Sequence, residues 1–207
     1  MVDAVVFIKA LVVGLSIAAP VGPIGLLTIQ RTIDRGFRIG LATGLGAAVA
    51  DGLYGTVGAL GVTWLITALT VARVPLALGG AVLLLVLAWR TWRTPLTSAT
   101  ATAPTSGVWT AFGSTVLLTL ANPATIVSFI AVFGALAAGV AGTVSPVTMI
   151  VGVFLGSAGW WLFLATLIAV TRHKFDDAWR RRISIGSAAV LAGFAVWQIV
   201  VAARAIL

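Results

Sequence analysis

Long apolar stretches, each closed by charge or turn residues, make up most of the chain. Runs near twenty residues occupy about 5–29, 39–67, 74–92, 109–138, 147–171 and 183–203. Each is long enough to cross a hydrocarbon core of about 30 Å as a helix. The runs lack alternating polarity and are far longer than the roughly 9 to 11 residues of a barrel strand. The pattern predicts an all-α integral membrane protein with six transmembrane helices.

Polarity inside the second run is confined to one face. Gly40, Gly44, Ala47, Ala48, Asp51, Gly55 and Gly58 recur one helical turn apart, whereas Leu41, Leu45, Val49, Leu53, Val57 and Leu60 fall opposite. The first face suits close helix packing and the second suits lipid. Asp51 is the sole acid within these runs, at a cost of roughly 2.5 to 3.5 kcal/mol on insertion scales. A carboxylate hidden against protein at that depth points to a transport site.

The chain divides into two related halves. Residues 93–108 are rich in Thr, Ser, Ala and Pro and carry no helical period, so they read as a linker between repeats at 1–92 and 109–207. Ala19-Pro20-Val21-Gly22-Pro23 interrupts the first helix, and Ala121-Asn122-Pro123-Ala124-Thr125 interrupts the fourth. Setting Pro23 over Pro123 brings Thr28 over Ser128, and the second helix of each half holds a Gly-xxx-Gly pair, Gly40/Gly44 and Gly152/Gly156. Three spans per half is an odd number, which predicts an inverted repeat. A proline within a span frees the carbonyl four residues back, that of Ser16 for Pro20 and that of Thr119 for Pro123. Such backbone is tolerated only where it is buried in protein or lines a cavity. At about 1.5 Å per residue, Asp51 and Asn122 lie roughly 17 and 20 Å from the cytoplasmic ends of their helices, near the midplane.

Composition strengthens the membrane reading: 60% of residues are hydrophobic and 9% charged, against 45 to 50% apolar in ordinary soluble domains. The net charge of +8 does not call for nucleic acid, because the basic residues cluster between spans. Arg31, Arg35, Arg38, Arg90, Arg93, Arg172, Lys174, Arg180, Arg181 and Arg182 follow spans one, three and five, and only Lys9, Arg73 and Arg204 lie opposite. The positive-inside rule then puts both termini outside the cytoplasm. Leu11–Ala19 has the look of a signal-peptide core, but Asp3 stands where positive charge is expected and Pro20 would follow the cut, so it reads as a retained span. The chain has no cysteine, which excludes disulfides and thiolate metal sites.

These residues resemble the LysE/RhtB amino-acid exporters. The likeness rests on Pro20-x-Gly22-Pro23, Arg35-Gly-Phe-Arg-x-Gly40, Gly-x-x-x-x-Asp51 and Leu-x-Asn122-Pro123, and it runs along nearly the whole chain. It implies a six-helix bacterial inner-membrane protein that exports amino acids or related metabolites on the proton gradient. Some family exporters of basic amino acids have an acid where this chain has Ser128, so the resemblance argues against lysine or arginine as substrate.

In the functional reading, Asp51 binds a substrate ammonium when ionised and releases it on protonation. In the structural one, it hydrogen-bonds freed carbonyls while protonated. Tyr54, three residues on, either shares that face or packs at the interface, and Asn122 either orients substrate or satisfies the backbone opened by Pro123. Ser16, Thr119 and Ser128 complete the candidate substrate or proton site beside the breaks at Pro20, Gly22, Pro23 and Pro123. The glycine faces serve packing first and would also suit self-association into a homo-oligomer. His173 lies in the basic loop 172–182, which sets topology and could meet anionic lipid headgroups. No phosphate loop, paired carboxylates within one span or zinc-binding cluster marks an enzyme, and no cofactor or resident metal is expected. A metal-cation exporter is disfavoured by a single carboxylate without Cys or intramembrane His. A non-transporting membrane scaffold or partner subunit is the remaining alternative, and a cavity reaching Asp51 discriminates.

Overall fold

A computed structural model describes residues 4–20, 22–59, 71–93, 106–122, 125–129, 145–174 and 176–205. Among them there is no strand. The helices are α1 (Ala4–Ala18), α2 (Pro23–Arg35), α3 (Phe37–Ala59), α4 (Arg73–Arg93), α5 (Ser106–Leu120), α6 (Pro146–Thr171) and α7 (Asp177–Arg204), with a 3-10 turn at Arg172–Lys174. Residues 125–129 are also helical.

Three segments are long and apolar enough to cross a membrane: Val74–Arg93, Pro146–Thr171 and Arg181–Arg204. They correspond to the third, fifth and sixth predicted spans. The first predicted span is a bent pair, α1 and α2 meeting at 77°. Pro23 opens α2 at a position where its missing N–H costs nothing, with Gly22 as the N-cap. The second span begins as α3, and the fourth as α5, which starts three residues earlier than the apolar run suggests. Leu60 and the rest of the second span, Pro123, Ala124 and residues 130–138 of the fourth, and most of the linker lie outside the described residues.

Outward faces of the long helices are apolar. Val82, Leu85 and Val86 on α4, Leu155, Leu162 and Phe163 on α6, and Val196, Trp197 and Val200 on α7 are all exposed. Apolar surface of that extent belongs against lipid. On α3, Leu53 is exposed while Ala47, Ala48 and Asp51 are buried, as the two-faced pattern predicts.

Small residues set the packing. Gly14 on α1 lies against the Val153 carbonyl of α6, and Gly156 on α6 lies against the Leu11 carbonyl and, at 2.9 Å from its added Cβ, the Leu15 nitrogen of α1. A side chain at either glycine would strike backbone, so α1 and α6 pack as closely as small-residue faces allow. On α3, Gly44 makes room for Trp161 of α6, and Gly52 and Gly55 face Phe154 and Val153. These contacts order the directions: α3 runs antiparallel to α6, and, through Gly46 against Phe112 and Tyr54 against Leu120, parallel to α5. Ser184 bonding to Thr91 O and Gln198 beside Gly80 make α4 antiparallel to α7.

The basic segments share one end. Gly36, between α2 and α3, faces the Arg172 guanidinium, and Thr91 of α4 bonds Gln30 of α2. Gly36 has φ of 88°, which favours glycine, and its N–H donates to Thr32 O at 3.0 Å, ending α2 and turning the chain into α3. Exposed Trp89, Trp92, Trp109 and Trp179 lie toward this end, with Arg93 4.0 Å above the Trp89 ring, as at a membrane interface.

Candidate functional site

The break between α1 and α2, the middle of α3, the end of α5 and the middle of α6 converge on one cavity. Its volume is about 80 Å³, and Pro20, Gly22 and Pro23, Asp51, Thr119, Asn122, Thr125 and Trp161 are among its lining. At about 30 Å³ per water, this is room for two or three waters. The residues reach it for local reasons: Pro23 aims α2 away from α1, and the small face of α3 lets α6 approach until Asp51 meets Ser157.

Asp51 is 4% exposed. Ser157 Oγ donates to its Oδ2 at 2.6 Å, and Trp161 Nε1 donates to Ser157 Oγ at 3.1 Å. A distance of 2.6 Å suits a hydroxyl donating to a carboxylate. Ser157 stands eleven residues into α6, about 16 Å along a helix of about 39 Å. The carboxylate therefore sits at mid-depth, with one of its roughly four acceptor positions used by the described residues. It can accept a proton or a cationic N–H from the cavity.

The other candidates separate. Thr119 is buried in the lining, its hydroxyl donating to Thr115 O at 2.8 Å. Asn122 N donates to Thr119 O at 3.1 Å, so the carbonyl singled out by the sequence is taken by a tighter turn. Tyr54 is buried but is not among the lining residues. Its hydroxyl donates to Leu120 O at 2.7 Å, and its ring stacks on Phe129 at 5.3 Å, so it holds the end of α5 in place. Ser16 and Ser128 are exposed and also outside the lining. Sequence reasoning missed Ser157, Trp161 and Thr125. Ser157 follows directly on the Gly152/Gly156 pair, whose spacing by itself signals only packing.

The LysE type translocator family matches residues 15–201. The chain belongs to that family. It is thus a membrane protein of a translocator family. Among its relatives is the uncharacterized membrane protein YahN of Escherichia coli (strain K12), 31% identical over 67% of this chain and 64% of that protein's length. The chemotactic transduction protein ChpE of Pseudomonas aeruginosa is 28% identical over 92% of this chain and 95% of its own. YcgF of Bacillus subtilis (strain 168), whose name provisionally assigns it amino acid efflux, is 47% identical over 24% of this chain and 23% of its own. No solved structure matches the chain.

Proposed function

We propose that this LysE-family protein exports an amino acid or related small amine across the bacterial inner membrane by proton antiport, with Asp51 taking the ammonium and the proton in turn. One observation carries the reading: the buried Asp51 carboxylate opens onto a cavity bordered by the interrupted first span and the end of α5. Ionised, it attracts an ammonium; protonated, it releases it, so one group couples both fluxes in opposite directions. Thr119, Asn122 and Thr125 supply neutral hydrogen bonds to the solute. The family assignment and the name of the Bacillus relative favour export of an amino acid.

The architecture proposed is six spans in two inverted repeats, residues 1–92 and 109–207, joined by 93–108. The opposed directions of α3 and α6 and of α4 and α7 support it, as does the end of α2 lying where α5 begins. The basic end faces the cytoplasm and both termini lie outside. A cavity of about 80 Å³ is small for most amino acids, which fits a closed state that must widen to load. A second reading, a membrane partner of a signalling system, takes its support from the name of the Pseudomonas relative.

A metabolite survey tests the function. Cells overproducing the protein should excrete one or a few amino acids that deleted cells retain, and cells producing equal amounts of Asp51→Asn should resemble the deletion. Excretion unchanged in kind and amount across all three strains would reject transport and leave the partner reading.

A further inference from the structure

Arg31 lies two turns from the Asp51 cavity on the same set of helices. It follows Pro23 by eight residues on α2, Thr43 precedes Asp51 by eight on α3, and Ala111 precedes Thr119 by eight on α5, about 12 Å in each case. The displacement is toward the basic end. Arg31 Nη1 donates to Thr43 Oγ1 at 3.1 Å, Ala111 O at 3.2 Å and Thr115 Oγ1 at 3.3 Å, and Nη2 donates to Ser114 Oγ at 3.2 Å.

Every one of these acceptors is neutral. The hydroxyl protons point elsewhere: Thr43 donates to Ile39 O, and Ser114 and Thr115 donate to Ala111 O. Three oxygens share the two hydrogens of Nη1, and all four contacts are longer than the 2.7 to 2.9 Å of charge-assisted bonds. Asp34, one turn further along α2, accepts from Gln30 Nε2, and no described carboxylate pairs with Arg31. A half-buried guanidinium in such surroundings favours a carboxylate, which offers two parallel, charge-assisted bonds about twice as strong as neutral ones. Three of the four contacts tie α2 to α5 and the fourth ties α2 to α3; α2 otherwise packs little against α5, whereas α3 packs against α5 on its own account.

We propose that Arg31 is a carboxylate-recognising group on the route from the basic end to Asp51, exchanging its four neutral oxygens for the carboxylate of an entering solute and thereby parting α5 from α2. An amino acid would then be met by its carboxylate at Arg31 and by its ammonium at Asp51, about 12 Å apart and so in succession. The sequence in time rests on the amino-acid reading above; the carboxylate site and the parting of the helices do not.

The absence of cysteine permits a direct test. A single reporter, Ala47→Cys, lies in the cavity lining and is labelled by a hydrophilic thiol reagent added to inside-out vesicles, which expose the basic end. Arg31→Gln should speed labelling about tenfold, the scale of losing hydrogen bonds to a charged group. Sodium acetate, a carboxylate without an ammonium, should speed labelling in the Arg31 protein relative to sodium chloride at equal ionic strength and have no effect in Arg31→Gln. Asp51→Asn should keep the acetate response, so loss of export there with acetate sensitivity intact separates this site from the export mechanism. If Arg31→Gln fails to accumulate, Ser114→Ala, which removes one acceptor, carries the test with labelling raised about threefold. Labelling indifferent to acetate in the Arg31 protein, or unchanged by Arg31→Gln or by its stand-in Ser114→Ala, overturns the proposal.

Discussion

Two charges of opposite sign, the buried Asp51 and the half-buried Arg31, are handled differently by neighbouring parts of one helix cluster. Among the described residues Asp51 has one hydrogen-bond donor, Ser157, and a cavity beside it. Arg31 has four acceptors among the described residues, on Thr43, Ala111, Ser114 and Thr115, and these hold α2 against α3 and α5. The anion keeps unused acceptor capacity where there is space for a solute, whereas the cation uses both Nη1 hydrogens and one of Nη2 to close space. Burying either charge without partners would cost several kcal/mol. The contrast is between a group held ready to bind and a group occupied until something better arrives.

The largest effect should come from removing the space while leaving both charges. Ala47→Leu places a bulky side chain in the cavity lining, and export should fall to the level of vesicles without protein while membrane accumulation stays close to normal. Export retained would mean that solute passes elsewhere. A smaller effect is expected from Ser157→Ala, which strips Asp51 of its donor. Hydrogen bonds to charged groups contribute about 1.5 to 3 kcal/mol, so the half-saturating solute concentration should change about tenfold or more in transport assays. An unchanged value would mean that Ser157 does not act on the carboxylate during transport.

Thr115→Ala probes the occupied cation. Three acceptors remain for Arg31, so thermal unfolding in detergent should show a loss of only about 0.5 to 1.5 kcal/mol. A loss as large as that of an unpaired buried charge would show that the cluster has no redundancy. Ser16→Ala and Ser128→Ala should be the mildest, within about 0.5 kcal/mol and without effect on export, because both side chains are exposed away from the cavity. A transport defect in either would return them to the site.

The contrast also separates what could be read from the sequence. Asp51 was legible because an acid in an apolar run has few explanations, and the break at Pro20 to Pro23 because proline removes a donor wherever it falls. Arg31 was legible only as one of ten clustered basic residues; its hydrogen bonding depends on Thr43 of α3 and Ser114 of α5, and no local pattern announces that meeting. Ser157 was hidden for a related reason. A serine after a glycine pair on an apolar helix reads as packing, and its bond to Asp51 follows from the close α3–α6 contact that the glycines allow. Ser16 was chosen for a freed carbonyl, a property of backbone that leaves the side chain's direction open.

The central claim is that Asp51 carries proton and solute in turn. Its most direct test is pH-gradient-driven export by Asp51→Asn, measured in vesicles holding equal amounts of variant and parent protein with the amino acid that the excretion survey identifies. The amide keeps the volume and can still accept from Ser157, so the protein should fold and reach the membrane. Export driven by the gradient should vanish, since the amide offers no charge to the ammonium and no site for the returning proton. Undiminished gradient-driven export by the asparagine variant would contradict the account.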